Sequence, residues 1–327
     1  MSASNSIDVP PRPGRIGIVL NPGSGYVRRH LQPLRVCAAR IADATVIEAS
    51  SEAQITHAVE TLQLGRADLL VVIGGDGTLQ AALTALLRLG PLVAPYVLAL
   101  PAGTTNMSAA DLGVRSKPLA ALERLNGWLT DQAPAPSLSA RAVLQVSDAD
   151  QAQPRFGLFF GAGAIISGVR YFHTRVRPKG VRGALGPSLA FVRLLLALFR
   201  GREHSLLPAT PARLHLGPHP LQAPWLLILG TTLNTLLLGS TPYWGREKAP
   251  MHFTAIAHRA PRLLPSLLPL LRGKSNETMR HNEAYVSHNL SHTTIDDLTE
   301  YLLDGEIFSS HGPLHLSTTP PIRFIVL

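Results

Sequence analysis

The stretch Leu69 to Gln80, with the sequence LLVVIGGDGTLQ, constrains the fold of this chain more than any other. Its leading apolar run is typical of a strand that is covered on both faces, as strands are in a parallel sheet. Gly74 and Gly75 end this strand, and a helix follows from Thr78. A buried strand, a glycine turn and a helix form the repeating unit of an α/β fold, which we therefore expect here.

The same alternation of strands and helices extends from Arg15 to about Ala133. The apolar runs predict strands at Ile16 to Leu20, Thr45 to Glu48, Asp68 to Ile73 and Tyr96 to Leu100. Helical spacing predicts helices near Arg28 to Ala42, Glu52 to Leu64 and Leu79 to Leu89. The third of these helices should end at Gly90, which Pro91 follows.

The composition of the chain changes after the proline-marked segment Ala133 to Ser139, which predicts a linker. Short strands separated by proline and glycine follow, and they indicate a second, β-rich domain. These strands are expected at Ala142 to Val146, Phe156 to Phe160, Arg213 to Leu216, Trp225 to Leu229 and Met251 to Ile256. A leucine-rich helix is expected at Pro187 to Arg200. The length of 327 residues also favours two domains.

The overall composition narrows the class of protein. Hydrophobic residues make up 46% and charged residues 16%, which is typical of a globular protein and not of a disordered one. The single cysteine, Cys37, excludes an internal disulfide. Residues 1–14 are predicted to be a disordered tail without the features of a secretory signal, and no apolar stretch predicts a transmembrane helix. We therefore expect a cytoplasmic protein. Its formal net charge of +9 favours polyanionic partners.

The glycine turn at Gly74 to Thr78 predicts a phosphate-binding loop. Glycines let the backbone approach a ligand closely, and the first N–H groups of the following helix point toward an anion. The carboxylate of Asp76 would be repelled by phosphates unless it holds Mg²⁺ or accepts a proton, and either role belongs to phosphoryl transfer. A purely structural glycine-rich turn is the alternative.

Two further loops follow predicted strands: Asn21-Pro22-Gly23-Ser24-Gly25 after the first and Pro101-Ala102-Gly103-Thr104-Thr105-Asn106 after the fourth. Ligands of open parallel sheets bind at the carboxyl ends of the strands, where all three loops should lie. The sequence therefore predicts that the three loops converge on one nucleotide.

The motifs NPGSG, GGDGT and PAGTTN, in this order and each after a strand, resemble the signature loops of the diacylglycerol kinase catalytic-domain family, which includes sphingosine and ceramide kinases. The stretch Leu303-Asp304-Gly305-Glu306 resembles the fourth motif of that family, an aspartate-glycine-glutamate turn. NAD kinases and phosphofructokinases carry loops similar to GGDGT, so that motif alone is less specific.

The resemblance implies an N-terminal, three-layer, parallel-sheet domain for nucleotide binding and a second domain like a β-sandwich, with ATP in the cleft between them and the last strand returning to the first domain. The expected domains are residues 15–133 plus 312–327 and residues 137–311. The residues implied at the nucleotide are Asn21, Gly23, Ser24, Gly25, Ser50 (or Ser51), Gly74, Gly75, Asp76, Gly77, Thr78, Thr104 and Asn106. Glu306 would be the general base, with Asp304 beside it and Asp76 as a further catalytic residue that contacts a nucleotide-bound Mg²⁺.

Two positions depart from the family pattern. Met107 stands where the family usually has aspartate, which removes a carboxylate from the site. The segment Arg246 to Met251 lacks the aspartate-glycine pair with which members often bind a structural Mg²⁺, so no structural metal is predicted there.

A basic run beside the leucine-rich helix predicts contact with anionic lipid headgroups, and a solvated surface is the alternative. Its residues are Arg175, Arg177, Lys179 and Arg182. The expected protein is peripherally membrane-associated, and a homodimer stays open. Nucleic acid is not an expected partner because the positive charge is spread out and no aromatic residues alternate with it.

The sequence thus predicts an ATP-dependent lipid kinase that phosphorylates a hydroxyl group of diacylglycerol, ceramide or a sphingoid base, with a role in phospholipid metabolism. A kinase of a soluble acceptor, in the manner of NAD kinase, is one alternative. A catalytically inactive homologue that binds lipid or nucleotide is the other, and Met107 is the argument for it.

Overall fold

The computed structural model describes residues 9–90, 95–149, 153–171, 174 and 207–327. Two compact units are present. The N-terminal unit contains the described residues up to Arg141 together with Pro321–Leu327, and the second unit contains those from Ala142 to Pro320. The predicted helix Pro187 to Arg200 and the basic run at 175–182 lie outside the described residues.

A six-stranded sheet forms the centre of the N-terminal unit, in the order β2-β1-β3-β4-β17-β5. Its strands are β1 (Ile16–Leu20), β2 (Ala44–Glu48), β3 (Leu69–Gly74), β4 (Tyr96–Pro101), β5 (Ser137–Arg141) and β17 (Ile322–Val326). All neighbours pair in parallel except β17 and β5. The last strand thus returns to the first domain, as the family resemblance implied.

The helices of this unit cover the sheet and bury its apolar runs, including Ile18, Val71 and Leu98. They are α1 (Gly25–Arg29), α2 (Leu31–Ala39), α3 (Glu52–Leu64), α4 (Asp76–Arg88), α5 (Met107–Asp111) and α6 (Pro118–Leu129). The prediction of one helix from Arg28 to Ala42 was wrong, because His30 leaves the helical conformation and separates α1 from α2. The His30 ring stacks on Tyr26 at 4.2 Å between centroids.

The predicted domain boundaries differ from those of the two units. The expected linker Ala133 to Ser139 partly forms β5, because Ser137–Arg141 pairs with β17. Residues 312–320, expected in the nucleotide domain, belong to the second unit, where β16 (Leu314–Thr318) pairs with β13 (His292–Asp296) and β6 (Leu144–Asp148). Strand pairing sets these boundaries, and the proline content of the segment does not reveal it.

The second unit is built on antiparallel strands, in the order β15-β14-β8-β10-β9-β13-β16-β6-β7, with β11 and β12 continuing from β10. Besides β16 they are β6 (Leu144–Asp148), β7 (Arg155–Gly157), β8 (Phe159–Gly163), β9 (Thr210–His215), β10 (Leu221–Thr231), β11 (Met251–Ala257), β12 (Tyr285–Leu290), β13 (His292–Asp296), β14 (Glu300–Leu303) and β15 (Glu306–Ser309). Trp225, Phe253 and Tyr301 lie in its core. The predicted class, a parallel α/β domain followed by a β-rich domain, is confirmed.

The predicted strand Phe156 to Phe160 is in fact two strands, because Leu158 interrupts it. Helices of this unit are α7 (Ala164–Tyr171), α8 (Leu263–Leu271) and α9 (Glu277–Arg280), with a short 3₁₀ helix at Leu237–Gly239. Within the described ranges, none of the helices is both long and apolar enough to cross a bilayer.

Candidate active site

The three predicted loops meet at one edge of the parallel sheet. They follow β1, β3 and β4, which are neighbours in the sheet and run in the same direction. Backbone bonds extend the pairing into the loops: the N–H of Asn21 donates to Ile73 at 3.0 Å, and that of Ala102 donates to Gly74 at 2.8 Å. The parallel order therefore brings NPGSG, GGDGT and PAGTTN together, as the sequence predicted.

Asn21 joins the first loop to the second. Its Oδ1 accepts the N–H of Gly23 at 2.8 Å, and its Nδ2 donates to Oγ1 of Thr78 at 2.8 Å. The N–H of Tyr26, in α1, donates to the carbonyl of Ala102 in the third loop at 3.0 Å. The first loop is thus fixed to both of its neighbours before any ligand binds.

Glycine occupies the loop positions for two different physical reasons. A Cβ on Gly103 would lie 2.5 Å from the Cα of Gly75, and one on Gly74 would lie 2.4 Å from the Cβ of Thr78. These positions require glycine for packing within the protein, which the sequence-based interpretation attributed to a ligand. Gly25 is different, because no atom lies within 4 Å of the Cβ that it lacks. The backbone at Gly25 is therefore open to the approach of a ligand.

The N-terminus of α4 supplies the electrostatic part of the site. Helix α4 has 13 residues, and its N-cap is Gly75, which offers no side chain to accept the N–H groups of the first turn. The helix dipole and these N–H groups favour an anion at this position. A negatively charged phosphate group is the ligand that this end of the helix would suit.

Asp76 lies in the first turn of α4 and joins the second loop to the third. Its Oδ1 accepts the N–H of Ser108 at 3.0 Å, and its Oδ2 accepts that of Met107 at 3.2 Å. These two groups begin the short helix α5, so the Asp76 carboxylate caps that helix. Burial raises the pKa of Asp76, although the hydrogen bonds from Ser108 and Met107 act in the opposite direction. The ionised carboxylate is thus poorly solvated, which favours a cation or a proton nearby.

Two other predicted residues of the nucleotide site have structural bonds of their own. The Oδ1 atom of Asn106 accepts the N–H of Gly103 at 2.7 Å and closes the third loop, with Asn106 in the left-handed conformation at φ 51°. Thr104, inside this loop, is half-buried. Ser50 is exposed, whereas its alternative Ser51 is the N-cap of α3 and forms a capping box with Gln54.

A small cavity lies between the second and third loops, lined by Gly74, Gly75, Asp76 and Asn106 together with apolar residues of β3, α4, β4 and α5. Its volume of about 10 Å³ holds roughly one water molecule. The cavity is too small to hold a nucleotide.

The aspartate-glycine-glutamate motif forms the tight hairpin between β14 and β15. Asp304 and Gly305 both have positive φ values, 47° and 94°, which match the two-residue turn that an Asp-Gly pair prefers. Asp304 is buried, and its carboxylate accepts the N–H groups of Leu158 at 2.8 Å and Phe159 at 2.9 Å. These bonds occupy the break between β7 and β8 and fix the hairpin to the sheet.

Glu306 is the first residue of β15, where it pairs with Leu303, and it is exposed. The two carboxylates of the motif, which only Gly305 separates in the sequence, therefore differ in environment. Asp304 is buried and accepts two backbone N–H groups, whereas Glu306 is exposed.

Comparison with known proteins agrees with this geometry. Residues 15–133 match the family model described as the diacylglycerol kinase catalytic domain. This part of the chain is thus similar to that family. The matched residues include all three loops, Asp76 and the two backbone donors of Asp76, so the match covers the candidate site.

Solved structures support the fold of the whole chain. A crystal structure of a diacylglycerol kinase from Bacillus anthracis strain Sterne shares 14% identity, covers 97% of this chain and 98% of its own, and gives a TM-score of 0.62. A second crystal structure from the same strain, likewise assigned to the diacylglycerol kinases, shares 15% identity, covers 97% and 99%, and gives a TM-score of 0.67. No curated protein sequence matches the chain. At these identities the likeness concerns the fold.

The segment that lacks the aspartate-glycine pair of the diacylglycerol kinases is tied to β12 by direct hydrogen bonds. The Glu247 carboxylate accepts the N–H of Asn289 at 2.9 Å and bonds Nδ1 of His288 at 2.6 Å. Burial raises the pKa of Glu247, but these bonds lower it further than burial raises it, to about 2. The prediction that no structural metal binds at Arg246 to Met251 stays a prediction.

Sequence reasoning missed three contributions to this candidate site. The backbone N–H groups of Met107 and Ser108 hold Asp76, and Gly103 packs on Gly75. The helix that begins after PAGTTN could have indicated the first two, because a carboxylate is a favoured cap for free N–H groups. No sequence pattern indicates the contact between two glycines of separate loops.

Proposed function

We propose that the protein is an ATP-dependent lipid kinase that transfers the γ-phosphate to a hydroxyl group of diacylglycerol or of a related lipid such as ceramide or a sphingoid base. The observation that carries the proposal is the joining of three glycine-rich loops at one sheet edge, through Asn21 and Asp76, inside a segment of the diacylglycerol kinase catalytic-domain family. Because these hydrogen bonds between the loops form without a ligand, less conformational entropy is lost on binding and the geometry for phosphoryl transfer is fixed.

The triphosphate of ATP is assigned to the space above these loops. The N-terminus of α4 would attract its negative charge, and the open backbone at Gly25 would let its oxygens approach closely. Because phosphoryl transfer requires mostly positioning and charge neutralisation, loops that are rigid and rich in N–H groups suit it.

A divalent cation would enter with the nucleotide. In the described ranges, no group of three or more His, Cys, Asp or Glu side chains lies close enough to hold a metal by itself. The Asp76 carboxylate fits a cation, because it is negatively charged when ionised and is poorly solvated at the edge of the sheet where the loops meet. Mg²⁺ bound there would neutralise charge on the phosphates.

Glu306 is the proposed general base. Its carboxylate is exposed and can take the proton of the acceptor hydroxyl, whereas the carboxylate of Asp304 is occupied by two backbone N–H groups. Asp304 is proposed to position Glu306 by fixing the hairpin from which it projects.

Incubation of the full chain with labelled ATP, Mg²⁺ and a total lipid extract tests the proposal, with free NAD as a parallel acceptor. We expect a labelled phospholipid and no labelled NADP. Asp76→Ala should abolish the labelled product, and Glu60→Ala, which removes an exposed carboxylate from the middle of α3, should leave it unchanged. Label in NADP would point to the soluble acceptor, and ATP binding without transfer would point to an inactive homologue with Met107 in place of aspartate.

A further inference from the structure

Helix α8 has an unusual distribution of apolar residues for a surface helix. Its sequence, LLPSLLPLL, contains Ser266 as the one polar residue, and Ser266 is buried and bonded to Nδ2 of Asn276 at 2.9 Å. Leu263, Ser266 and Leu270 lie on the inner stripe and pack into the unit. A surface helix normally has polar residues on its outer stripe, and a helix that is apolar all round is normally buried.

The outer stripe of α8 is nevertheless apolar and exposed. Leu264 and Leu268 are separated by one helical turn, and their exposed fractions are 40% and 57%. In the described part of the second unit, the only other large apolar residue with comparable exposure is Leu238, at 65%. Exposed apolar residues that cluster, unlike scattered ones, indicate a surface that contacts another molecule or a membrane.

Leu238 belongs to a turn that is bonded to the end of α8. The turn is closed by the bond from the N–H of Leu236 to the carbonyl of Ser240 at 2.8 Å, and the N–H of Thr241 donates to Leu271 of α8 at 2.9 Å. Leu238 has a φ of 58°, an uncommon conformation for a residue with a large side chain, and it presents that side chain to solvent. The turn thus adds a third exposed leucine beside the helix.

Basic residues precede and follow α8 in the sequence. The segment from Arg259 to Lys274 contains no acidic residue. Its four basic residues are all exposed, and in the ranges that the structure describes none of them forms an ion pair: Arg259, Arg262, Arg272 and Lys274. Cationic groups near exposed leucines suit an anionic membrane surface. The headgroup layer attracts the positive charge, and the acyl-chain layer accepts the apolar side chains.

We propose that α8 and the Leu236 to Ser240 turn form a docking surface for an anionic lipid bilayer. The leucines enter the boundary between headgroups and acyl chains, and the flanking basic residues bind the headgroups. The proposal rests on the proposed function for its purpose, because an enzyme that phosphorylates a membrane lipid must reach it at the bilayer. Binding to the bilayer, however, requires neither ATP nor a phosphate acceptor, so it is measurable separately from catalysis.

Sedimentation of the full chain with vesicles tests the docking surface. Vesicles of phosphatidylcholine, with or without phosphatidylserine, contain no acceptor lipid, and nucleotide is omitted. We expect binding to the vesicles with phosphatidylserine. The double variant Leu264→Asp/Leu268→Asp should weaken it by at least about tenfold, since interfacial binding scales with the buried apolar area. Arg262→Gln and Arg272→Gln should each weaken it about fivefold at low salt.

Leu64→Asp is the matched control, because Leu64 is 87% exposed at the end of α3 in the other unit. It should leave vesicle binding unchanged. Thermal unfolding of each variant checks that the fold is intact, which the outward position of Leu264 and Leu268 predicts. An active lipid kinase that does not bind vesicles would overturn the docking surface alone, and a vesicle-binding protein without kinase activity would overturn the proposed function alone.

Three further results would also overturn the docking surface. The first is full vesicle binding by the double leucine variant. The second is loss of binding on neutralising Arg175, Arg177, Lys179 and Arg182 while the α8 variants bind normally, which would assign docking to that basic run. The third is a dimer in sedimentation velocity that the leucine variant dissociates, because the apolar surface would then contact a second copy of the chain.

Discussion

Asp76 and Asp304 lie in different units, yet each carboxylate accepts two consecutive backbone N–H groups and joins a turn to another element. Their surroundings differ. Asp304 is enclosed so closely that a Cβ on Gly157 would lie 2.5 Å from its Oδ2, whereas Asp76 borders a small cavity between the second and third loops. The same hydrogen-bonding pattern therefore serves packing at Asp304, and under the proposed function it presents a charge to the ligand at Asp76. Substitutions that keep the shape but remove the charge separate the two roles.

The largest effect is expected from Asp76. Asp76→Asn should lower lipid kinase turnover by about 10²- to 10³-fold, because the charge is lost where phosphoryl transfer requires it. The amide can still accept one of the two N–H groups of α5, so the variant should stay folded. Turnover per folded molecule is the measurement, with thermal unfolding as its check. Normal turnover in a folded variant would show that Asp76, like Asp304, only fixes the local structure.

Glu306→Gln should have the next largest effect. It keeps the shape of the side chain and removes its capacity to accept a proton, so turnover should fall by about 10²-fold while nucleotide affinity stays the same. Measuring both quantities on one preparation separates the roles. Lost nucleotide affinity would assign Glu306 to nucleotide binding, and normal turnover would transfer the base role to another group.

Asp304→Asn should mainly change stability. The amide nitrogen would face a backbone N–H of Leu158 or Phe159, and a buried donor without an acceptor costs about 1 to 3 kcal/mol. We expect about 2 kcal/mol less free energy of unfolding in urea, with turnover per folded molecule reduced less than in Glu306→Gln. A variant of unchanged stability but lost activity would contradict the anchoring role.

The smallest effect on stability is expected at Glu247. Its carboxylate also accepts a backbone N–H, but its side chain is 47% exposed. Its pKa is lowered from 4.5 in the unfolded chain to about 2 in the folded one. Between pH 2 and pH 4.5 the unfolded state therefore binds more protons than the folded state. The ionised Glu247 thus stabilises the fold fully above about pH 4.5, and this stabilisation is lost as the pH falls toward 2. Solvent screening limits it to below about 1 kcal/mol.

Glu247→Gln should therefore be less stable than the unchanged chain at pH 7 and equally stable near pH 2. Urea unfolding at a series of pH values measures the difference. A difference that is constant with pH would show that charge plays no part in the bonds of Glu247 to His288 and Asn289.

Local patterns predicted the N-terminal unit well for physical reasons that can be named. Helix α3 has the bounds expected from the spacing of its apolar residues, and β1 has the bounds expected from its apolar run. Both predictions succeeded because each depends only on residues inside the element itself. Helix α6 was missed, although it begins with Pro118 and buries Leu122 and Trp128. Contacts between distant segments were less accessible. The break at Leu158 depends on Asp304, 146 residues away, and no local pattern indicates it.

The candidate site shows the same division. Order along the chain and parallel pairing sufficed to predict that the three loops meet. The partners of Asp76 were not predicted, because they are the backbone N–H groups that begin α5, and no helix was predicted there. The difference in environment between Asp304 and Glu306 follows from the hairpin turn, which buries one side chain and exposes the other.

The position of β17 has a consequence for the order in which this protein folds during synthesis. β17 pairs with both β4 and β5, but the whole second unit lies between β5 and β17 in the sequence. When the ribosome has made the loops and helices of the N-terminal unit, β5 still lacks its partner strand. The sheet can close only after about 180 further residues have been added, which at 5 to 20 residues per second takes roughly 10 to 40 seconds. Until then the edge of β4 stays unpaired and must avoid pairing with other chains.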